Sequence, residues 1–435
     1  MTAESPYESQ LAAAFALYRK RDYQAALRHY EGALATGEKG VDHRVHHGIG
    51  DCLLALQRHE EAVAAYREAL NFNPRYFRSF LNLGITLTEM RRHELATVYL
   101  RHARELNATE PRTPEVLGLC AYRLGRYAEA ASYFEAAIAL APGSINLHCH
   151  LHKQLVQLKR HDEALTLLQR LCHQQGWPEA QAKGYEFSAE PWFLKNVDTF
   201  TRHAPARQQG VGLRCLEIGS FEGMSACWML DKVLTEADDQ LICIDPLFQP
   251  PLRANIQRSG AAQRVRLVER KSQDALFDLA DESLDWAYVD GWHIAPQVLV
   301  DGLMCWSLMR VGALMLFDDY QKEDQSGRGQ TVRLGANAIV ALFGNGLEVL
   351  ESGRQLVVRK LKPGFPPELG ARLQSLARLL DPAATLRFEG QDRALIGAFR
   401  DWLLERFDLP WRYQDASALF HTWQGTGEAA PKRAA

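Results

Sequence analysis

The 435-residue chain lacks several patterns that define whole classes of protein. Its eight cysteines are scattered without a CxxC pair, which argues against a disulfide framework and favours reduced, buried thiols. No dense block of lysine and arginine occurs and the formal net charge is -3, so nucleic-acid binding is not expected. Asp301 and Arg310 interrupt the most apolar window, Val298 to Phe317, so no membrane span is expected either.

The opening stretch MTAESPYESQ has neither the basic segment nor the apolar run of a secretory signal. The absence of a signal, together with reduced thiols, predicts a cytoplasmic protein. What the chain does have is length and apolar content, because 47% of its residues are hydrophobic. This is enough to bury at least two cores, and we expect two main domains with an appendage.

One histidine-rich segment raises the question of a metal site. His148, Cys149, His150 and His152 lie together, and His148 and His152 share a helix face at a spacing that can hold a metal ion. No second pair of ligands lies at a suitable spacing elsewhere in the sequence. The polar face of a helical repeat is the favoured interpretation.

The first part of the chain repeats itself every 34 residues. A shift by this period aligns a column of mostly glycines, a column of alanines and a column of large apolar residues. The columns are Gly50, Gly84, Gly118 and His152; Ala62, Ala96, Ala130 and Ala164; and Tyr66, Leu100, Phe134 and Leu168. An earlier unit with Ala26 and Tyr30 makes about five units. Small residues let paired helices approach closely, and the large residues fill the gap to the next unit.

Residues 8–176 resemble the tetratricopeptide repeat, most clearly in the unit that contains Gly118, Tyr127, Ala130 and Phe134. The resemblance implies an α solenoid whose concave groove binds a protein or peptide partner. The column residues pack helices against one another, so they do not reveal which groove residues would contact that partner.

Strand-like and helical segments alternate after a linker and helical lead-in at residues 177–212. The alternation predicts a parallel sheet covered on both faces. The candidate strands are Leu213–Ile218, Leu241–Ile244, Val265–Val268, Leu284–Val289, Ala313–Phe317, Leu347–Leu350 and Gln355–Val358. The last two are joined by turn residues and should form an antiparallel hairpin at the sheet edge.

The ends of these strands carry a second family resemblance. LEIGSFEG, Asp245 after LICI, and VDGWH followed by FDDY resemble the ordered motifs of class I methyltransferases that use S-adenosylmethionine (SAM). The later motifs resemble more narrowly a branch of small-molecule and sugar O-methyltransferases, some of them magnesium-dependent. The resemblance covers roughly residues 186–362 and implies a Rossmann-like α/β domain at 213–362, with a mostly parallel seven-stranded sheet and an antiparallel edge hairpin.

The resemblance implies a cofactor site at the carboxyl ends of the strands, where open α/β sheets bind ligands. Gly219 and Gly223 would let the backbone approach the methionine part of SAM, and Glu217 would balance its positive charge. Asp245 would accept the ribose hydroxyls, and residues after the third strand would face the adenine edge. The expected cofactor residues are Glu217, Gly219, Ser220, Phe221, Gly223, Asp245, Ser272 and Asp274.

Acids on the later loops are candidates for the chemistry. Asp290, Asp318 and Asp319 would offer hard oxygen ligands to Mg²⁺, which could activate an acceptor hydroxyl. Helix-capping and turn roles are the alternatives for these acids. The resembled sugar O-methyltransferases often carry an acidic base where Trp292 stands here, so the expected base is His293 or Asp319.

Two further segments complete the chain. Residues 321–335 predict either a substrate lid, in which Arg328 and Arg333 meet an acidic substrate, or a solvated loop. Residues 363–424, with Trp411 and Trp423, are predicted to form a helical extension that covers the substrate mouth or docks onto the solenoid. Residues 425–435 are predicted to be a disordered tail.

These features together predict a SAM-dependent methyltransferase that transfers a methyl group to a hydroxyl acceptor. The repeats would recruit a protein or a carrier-bound substrate. An interaction scaffold with a catalytically silent, cofactor-binding domain is the second hypothesis. A nicotinamide-dependent oxidoreductase would explain the glycines and Asp245, but it leaves the later acids unexplained, and the glycine spacing is GxxxG rather than GxGxxG.

Overall fold

A computed structural model describes residues 5–36, 43–321, 331–380 and 393–407 of the chain. The chain divides into two compact units, Met1–Leu168 and Gln169–Ala435. The first unit is helical, and the second contains the sheet. Arg328, Trp411, Trp423 and the segment 425–435 lie outside the described residues.

Ten helices of 12 to 14 residues form the repeat region. The helices from α1 to α8 pack in successive pairs, and each of these pairs packs against the helix that follows it. They are α1 (Pro6–Arg19), α2 (Tyr23–Ala35), α3 (His43–Ala55), α4 (His59–Phe72), α5 (Phe77–Glu89), α6 (His93–Leu106), α7 (Arg112–Arg123), α8 (Tyr127–Leu140), α9 (Ile145–Gln157) and α10 (His161–Gln174).

The column residues explain why the helices pair. A Cβ atom on Gly84 of α5 would lie 2.5 Å from Cγ of Leu100 in α6, so only glycine permits this approach within the unit. Tyr30 of α2 makes the same kind of contact with Gly48 in the next unit, where a Cβ would lie 2.3 Å from Cζ of its ring. The predicted helical solenoid is therefore confirmed, and large side chains fill gaps both within a unit and between units.

The second unit is built on a seven-stranded sheet. The strand order is β3-β2-β1-β4-β5-β7-β6, in which the first five strands are parallel and β7 runs antiparallel to both β5 and β6. The strands are β1 (Arg214–Ile218), β2 (Gln240–Ile244), β3 (Val265–Val268), β4 (Leu284–Val289), β5 (Met309–Phe317), β6 (Leu347–Ser352) and β7 (Leu356–Lys360). The predicted sheet and its antiparallel hairpin are confirmed, and β5 begins four residues earlier than expected.

Helices connect the strands and cover the sheet. They are α11 (Glu179–Ala182), α12 (Val197–Arg202), α13 (Met224–Lys232), α14 (Pro250–Arg258), α15 (Ser272–Ala275), α16 (Ala295–Leu308), α17 (Thr331–Phe343), α18 (Leu369–Leu380) and α19 (Arg393–Phe407). Short 3-10 helices occupy Trp192–Lys195, Ala262–Arg264, Leu276–Asp278 and Gly344–Gly346. Every residue of α16 is buried, which accounts for its almost continuous apolar sequence.

The C-terminal helices belong to the same core as the sheet. Leu373 of α18 and Phe399 of α19 are fully buried in one apolar cluster with residues of α16 and β5. The predicted helical extension is therefore confirmed, and its helices pack on the helical layer of the sheet domain. Burial of this apolar surface supplies the stabilisation that holds them there.

Two expectations from composition can be compared with the structure. All eight cysteines are buried and unbridged. Within the described residues, no helix combines the length and the apolar character needed to cross a membrane.

Candidate active site

The loop between β1 and α13 has a backbone that only glycine tolerates at two points. Gly219 has a φ of 88° and Gly223 a φ of 80°, both in the left-handed region. A Cβ on Gly219 would lie 2.0 Å from the carbonyl oxygen of Asp290, so this turn passes directly against the end of β4. The loop thus forms a tight turn at the carboxyl edge of the sheet.

Asp245, which follows β2, is bonded to the same loop. Its Oδ2 accepts a hydrogen bond from the backbone N–H of Phe221 at 3.0 Å, and its Oδ1 accepts one from the N–H of Leu247 at 2.9 Å. Phe221 has a φ of 47°, and its ring is 48% exposed. The carboxylate is therefore held rigidly, while each oxygen keeps a second lone pair for a ligand hydroxyl.

Glu217 lies beneath the loop, fully buried. It accepts hydrogen bonds from the Ser225 hydroxyl and from Sγ of Cys243 at 3.6 Å. Burial, with a smaller contribution from the charge of Asp245, raises the pKa of Glu217 to about 7. The neighbouring Ser220 hydroxyl is buried and lies close enough to Glu217 to lower its pKa, but it makes no hydrogen bond of normal geometry among the described residues, so it is suited to a ligand.

The two residues expected near the adenine differ in their placement. Ser272 is buried, and its hydroxyl accepts a hydrogen bond from Gln297 at 3.3 Å. The same Gln297 amide also donates to Asp301, whose Oδ1 lies 2.9 Å away. Asp274 in α15 has an exposed side chain. Ser272 therefore belongs to a buried polar cluster at the sheet edge, whereas Asp274 lies on the surface.

The candidate catalytic residues come together after β4 and β5. Nε2 of His293 lies 3.0 Å from Oδ1 of Asp290, and its Nδ1 lies 3.4 Å from Oδ2 of Asp319. Asp319 has a φ of 49°, an uncommon backbone for a residue with a side chain. The structure thus brings Asp290, His293 and Asp319 together, with both imidazole nitrogens facing carboxylates.

Four residues that sequence reasoning missed close these side chains into a ring. Asn196 donates to Oδ1 of Asp318 at 2.8 Å and accepts from Nε of Arg354 at 2.9 Å. Arg354 also lies 3.8 Å from Asp319, and Gln355 donates to Asp318 at 2.9 Å. Tyr288 donates to Oδ2 of Asp290 at 3.0 Å and lies 3.5 Å from the Asn196 amide. We call these residues, with Asp290, His293, Asp318 and Asp319, the polar ring.

A topological signal could have identified two of the missed residues. Because β7 is antiparallel to β5, it must begin at the carboxyl end of β5, and Phe317 is indeed paired with Leu356. Arg354 and Gln355 precede that point and so lie beside the acids that follow β5. No comparable signal exists for Asn196, which lies in the lead-in far from any motif.

Close packing of acids changes the proton affinities in the polar ring. Burial and the charge of Asp318 raise the pKa of Asp290 to about 8, although the hydrogen bond from His293 opposes this. Burial alone would lower the pKa of His293, but the hydrogen bond and charge of Asp290 outweigh burial and raise it. Burial and the charge of Asp319 also raise the pKa of Asp318. The pair of Asp290 and His293 therefore holds a proton near neutral pH.

The same contacts argue against the expected magnesium site. Both oxygens of Asp290 accept or share hydrogen bonds, and Oδ1 of Asp318 accepts two amide N–H groups. Within the described part of the chain, no group of three or more His, Cys, Asp or Glu side chains is placed to hold a metal ion. The acids bond to neighbours rather than converging on a common point, so the residues do not fit the ion.

The histidine-rich segment of α9 likewise shows no metal site. His148, Cys149 and His152 are buried, and Nδ1 of His148 lies 2.9 Å from the Ser144 carbonyl oxygen. Burial lowers the pKa of His152 to about 4, so it is neutral at physiological pH. These three residues are part of the helix packing and do not form the polar groove face that the sequence favoured.

Comparison with known families assigns the two parts of the chain separately. A family model described as a methyltransferase domain matches residues 216–320, which run from within β1 to three residues beyond β5. Tetratricopeptide repeat models match residues 11–77 and 116–144.

Curated relatives match the sheet domain. The chain is 28% identical over 107 residues to a Mycolicibacterium smegmatis protein named "Putative O-methyltransferase", covering 24% of this chain and 50% of the relative. It is 32% identical over 99 residues to a Mycobacterium leprae protein of the same description, covering 21% and 42%. A 30% match over 118 residues to protein R132 of Acanthamoeba polyphaga mimivirus covers 25% and 52%. The chain thus spans about half the length of these relatives.

The solved structures that match part of the chain include repeat proteins. MamA from Desulfovibrio magneticus matches with a TM-score of 0.36 and 19% identity, covering 38% of this chain and 93% of that one. YrrB, titled a TPR protein with an unusual peptide-binding site, matches with a TM-score of 0.34 and 23% identity, covering 38% and 84%. On the family matches and the fold, the chain carries tetratricopeptide repeats followed by a methyltransferase domain.

Proposed function

We propose that the protein is a class I methyltransferase that uses SAM to methylate a hydroxyl group of its acceptor. The observation that carries the proposal is the position of the polar ring, which lies at the same sheet edge as the glycine loop. Gly219 of that loop is in contact range of the Asp290 backbone, so cofactor and acceptor sites would be adjacent. Adjacent placement is what methyl transfer requires, since donor and nucleophile must meet in line.

The residues of the glycine loop fit the cofactor. Gly219 and Gly223 leave open the space that a side chain would fill, and the buried Ser220 hydroxyl could form a hydrogen bond with the ligand. Asp245 would accept the ribose hydroxyls on its remaining lone pairs, with the Phe221 ring beside it. Glu217 would act from beneath the loop, because its negative charge is favoured when a positive charge lies above it. Ser272 and Asp274 remain the candidates for the adenine end.

When bound, SAM supplies a methyl group on a sulfonium, so the protein's task is to orient and deprotonate the acceptor hydroxyl. Both nitrogens of His293 already face carboxylates, which favours its protonated form. We therefore assign the proton-accepting role to Asp319 and an orienting and charge-balancing role to His293. The strained backbone of Asp319 fits a preorganised catalytic group.

The repeats would recruit a protein or a carrier-bound substrate to the transferase. This part of the proposal rests on the match to the repeat family. The column residues are buried between the helices, so a partner would contact other residues of the array. A cytoplasmic location would suit the eight reduced thiols.

The second candidate function is an interaction scaffold whose methyltransferase domain binds SAM without transferring the methyl group. The specific observation in its favour is Trp292, which is 57% exposed and stands where the resembled sugar O-methyltransferases often carry an acidic base. The two functions share the cofactor site and differ only in turnover.

Cofactor binding is the first test. Isothermal titration with SAM, S-adenosylhomocysteine and NAD should show binding of both adenosyl ligands and no binding of NAD. Failure of both adenosyl ligands to bind would refute both candidate functions, and preferential binding of NAD would favour an oxidoreductase.

Turnover is the second test. Methyl transfer from tritiated SAM should be measured with a panel of catechol, sugar and hydroxy-acid acceptors, in Mg²⁺ and in EDTA. The proposal expects transfer that survives EDTA and is lost in Asp319→Asn, with unchanged S-adenosylhomocysteine affinity. Loss of activity in EDTA alone would restore the magnesium assignment, and binding without transfer to any acceptor would favour the scaffold.

A further inference from the structure

A short segment of the lead-in, residues 188–196, is fastened to the active site at both ends, and we call it the strap. At one end the Glu222 carboxylate accepts the backbone N–H groups of Ser188 and Ala189, both at 2.9 Å, and the Ser188 hydroxyl. At the other end Asn196 donates to Asp318 at 2.8 Å. The strap lies wholly outside residues 216–320, the region that matches the methyltransferase family.

The two fastening points define the path of the strap over the sheet. Glu222 belongs to the loop after β1, and Asp318 follows β5. In the sheet order, β4 is the strand between β1 and β5, and its carboxyl end carries Asp290. The strap therefore crosses the sheet edge where the glycine loop and the polar ring face each other. This is the position where the reactive end of a bound cofactor would lie.

The strap is held firmly along its length. Phe193 and Leu194 are buried, and the Phe193 ring packs edge-on against Phe200 with ring centres 4.9 Å apart. The Glu222 side chain is only 6% exposed, although it carries a carboxylate. A buried carboxylate is tolerated only where several donors satisfy it, and the three donors from the strap do so.

We propose that the strap forms the wall of the cofactor pocket around the amino-acid part of SAM, and that Glu222 is the positioning residue that sets this wall. The inference rests on the proposed use of SAM. Glu222 lies in the same loop as Gly219 and Gly223, which would approach the methionine part of the cofactor. The ribose and adenine residues, Asp245 and Ser272, lie after β2 and β3, on the far side of β1 from the strap's course.

Because of this position, Glu222→Gln should weaken binding of ligands that carry the amino-acid part and spare ligands that lack it. A glutamine has the same shape but no charge, so its amide oxygen can still accept the two backbone N–H groups but without charge assistance, and the fastening of the strap is weakened. The affinity for S-adenosylhomocysteine should fall by about tenfold or more, the scale expected for loss of charge-assisted hydrogen bonds. The affinity for 5′-methylthioadenosine, which lacks the amino-acid part, should stay within about twofold. Isothermal titration of both ligands measures the split.

Two further variants keep the test decisive. Ser188→Ala removes only the hydroxyl donor and should show a smaller loss in the same direction, even if Glu222→Gln fails to fold. Glu348→Gln makes the same chemical change at a half-exposed residue of the edge strand β6 and should leave both affinities unchanged. A parallel loss of both ligands, or no loss of either, would overturn the inference. Wild-type protein that binds neither ligand would instead refute the proposed function on which it rests.

Discussion

Asp245 is the candidate ribose-binding residue of the proposed cofactor site. Its carboxylate is tied to Phe221 and Leu247 through backbone N–H groups, which leaves it oriented before any ligand arrives. A preorganised group costs little conformational entropy on binding. The residue should therefore contribute strongly to cofactor affinity.

We expect Asp245→Ala to weaken S-adenosylhomocysteine binding by at least about tenfold, because the ribose hydroxyls lose a charged acceptor. Asp278→Ala is the matched control, since Asp278 pairs with Arg270 in an exposed ion pair away from the glycine loop. Calorimetric titration of both variants measures the difference. Equal affinity in the two variants would remove Asp245 from the cofactor site.

Glu217 makes the stability of the second unit depend on pH. Its pKa is raised to about 7 by burial, whereas an unfolded glutamate titrates near its ordinary value of 4.5. The folded state therefore binds the proton more tightly, so stability is full below the unfolded pKa and falls as pH rises toward 7. Above the folded pKa, the buried charge lowers the free energy of unfolding by its full amount, about 3 kcal/mol.

The variant Glu217→Gln stays neutral and should escape this cost. In the absence of ligand, we expect it to be more stable than the wild type at pH 8 and equally stable at pH 4.5, as measured by urea unfolding at both pH values. The affinity of the same variant for S-adenosylhomocysteine should depend less on pH than that of the wild type. A stability difference that does not change with pH would show that Glu217 is not protonated in the folded protein.

At the scale of the element, the repeat helices depend on glycines that face large side chains. Gly84 in α5 lies under Leu100 of α6, with no room for a methyl group. Gly143, in the turn before α9, has nothing within 4 Å of the place where a Cβ would lie. The two glycines therefore offer a filled and an open environment for the same substitution, although Gly84 lies inside a helix and Gly143 in a turn.

We expect Gly84→Ala to lower the stability of the repeat region by about 1–3 kcal/mol, the usual cost of overpacking a filled interior. Gly143→Ala should change stability by less than about 1 kcal/mol, because the methyl group enters open space. Circular dichroism at 222 nm during urea unfolding compares the two variants. Similar destabilisation by both substitutions would contradict the conclusion that the glycine column allows close approach of the paired helices.

At the scale of the whole molecule, the proposed ligand site lies in one of the two compact units. All nine tryptophans of the chain come after residue 176, so tryptophan fluorescence reports on the unit that contains the sheet. Fluorescence during unfolding therefore isolates the part of the protein that should bind the cofactor.

Saturating S-adenosylhomocysteine should raise the free energy of unfolding detected by fluorescence by about 2.7 kcal/mol at a hundred times its dissociation constant. The gain arises because the ligand binds only the folded state. NAD at the same concentration should give no gain, and Asp245→Ala should reduce the gain from S-adenosylhomocysteine. An unchanged midpoint with wild-type protein would contradict the proposed cofactor.

The repeats, the seven strands and the parallel direction of the first five strands could be predicted because each depends on a local pattern. A helix pair needs a period of 34 residues with glycine opposite a large side chain, and a buried strand needs a short apolar run. The carboxyl ends of neighbouring parallel strands must meet at one edge, so Gly219, Asp245, Asp290 and Asp319 could be assigned to one site without coordinates.

The tertiary structure alone decided which atoms of these residues face one another. Asn196 reaches Asp318 across 122 positions of the chain and Arg354 across 158, and no pattern in the sequence links them. The metal prediction depended on carboxylate oxygens converging on one point, and the structure instead places hydrogen-bond donors against them. The sequence by itself thus determined the fold and the sheet edge to which the candidate site is assigned. The packing of distant segments determined the chemistry of that edge, because hydrogen bonding and burial depend on neighbours in space.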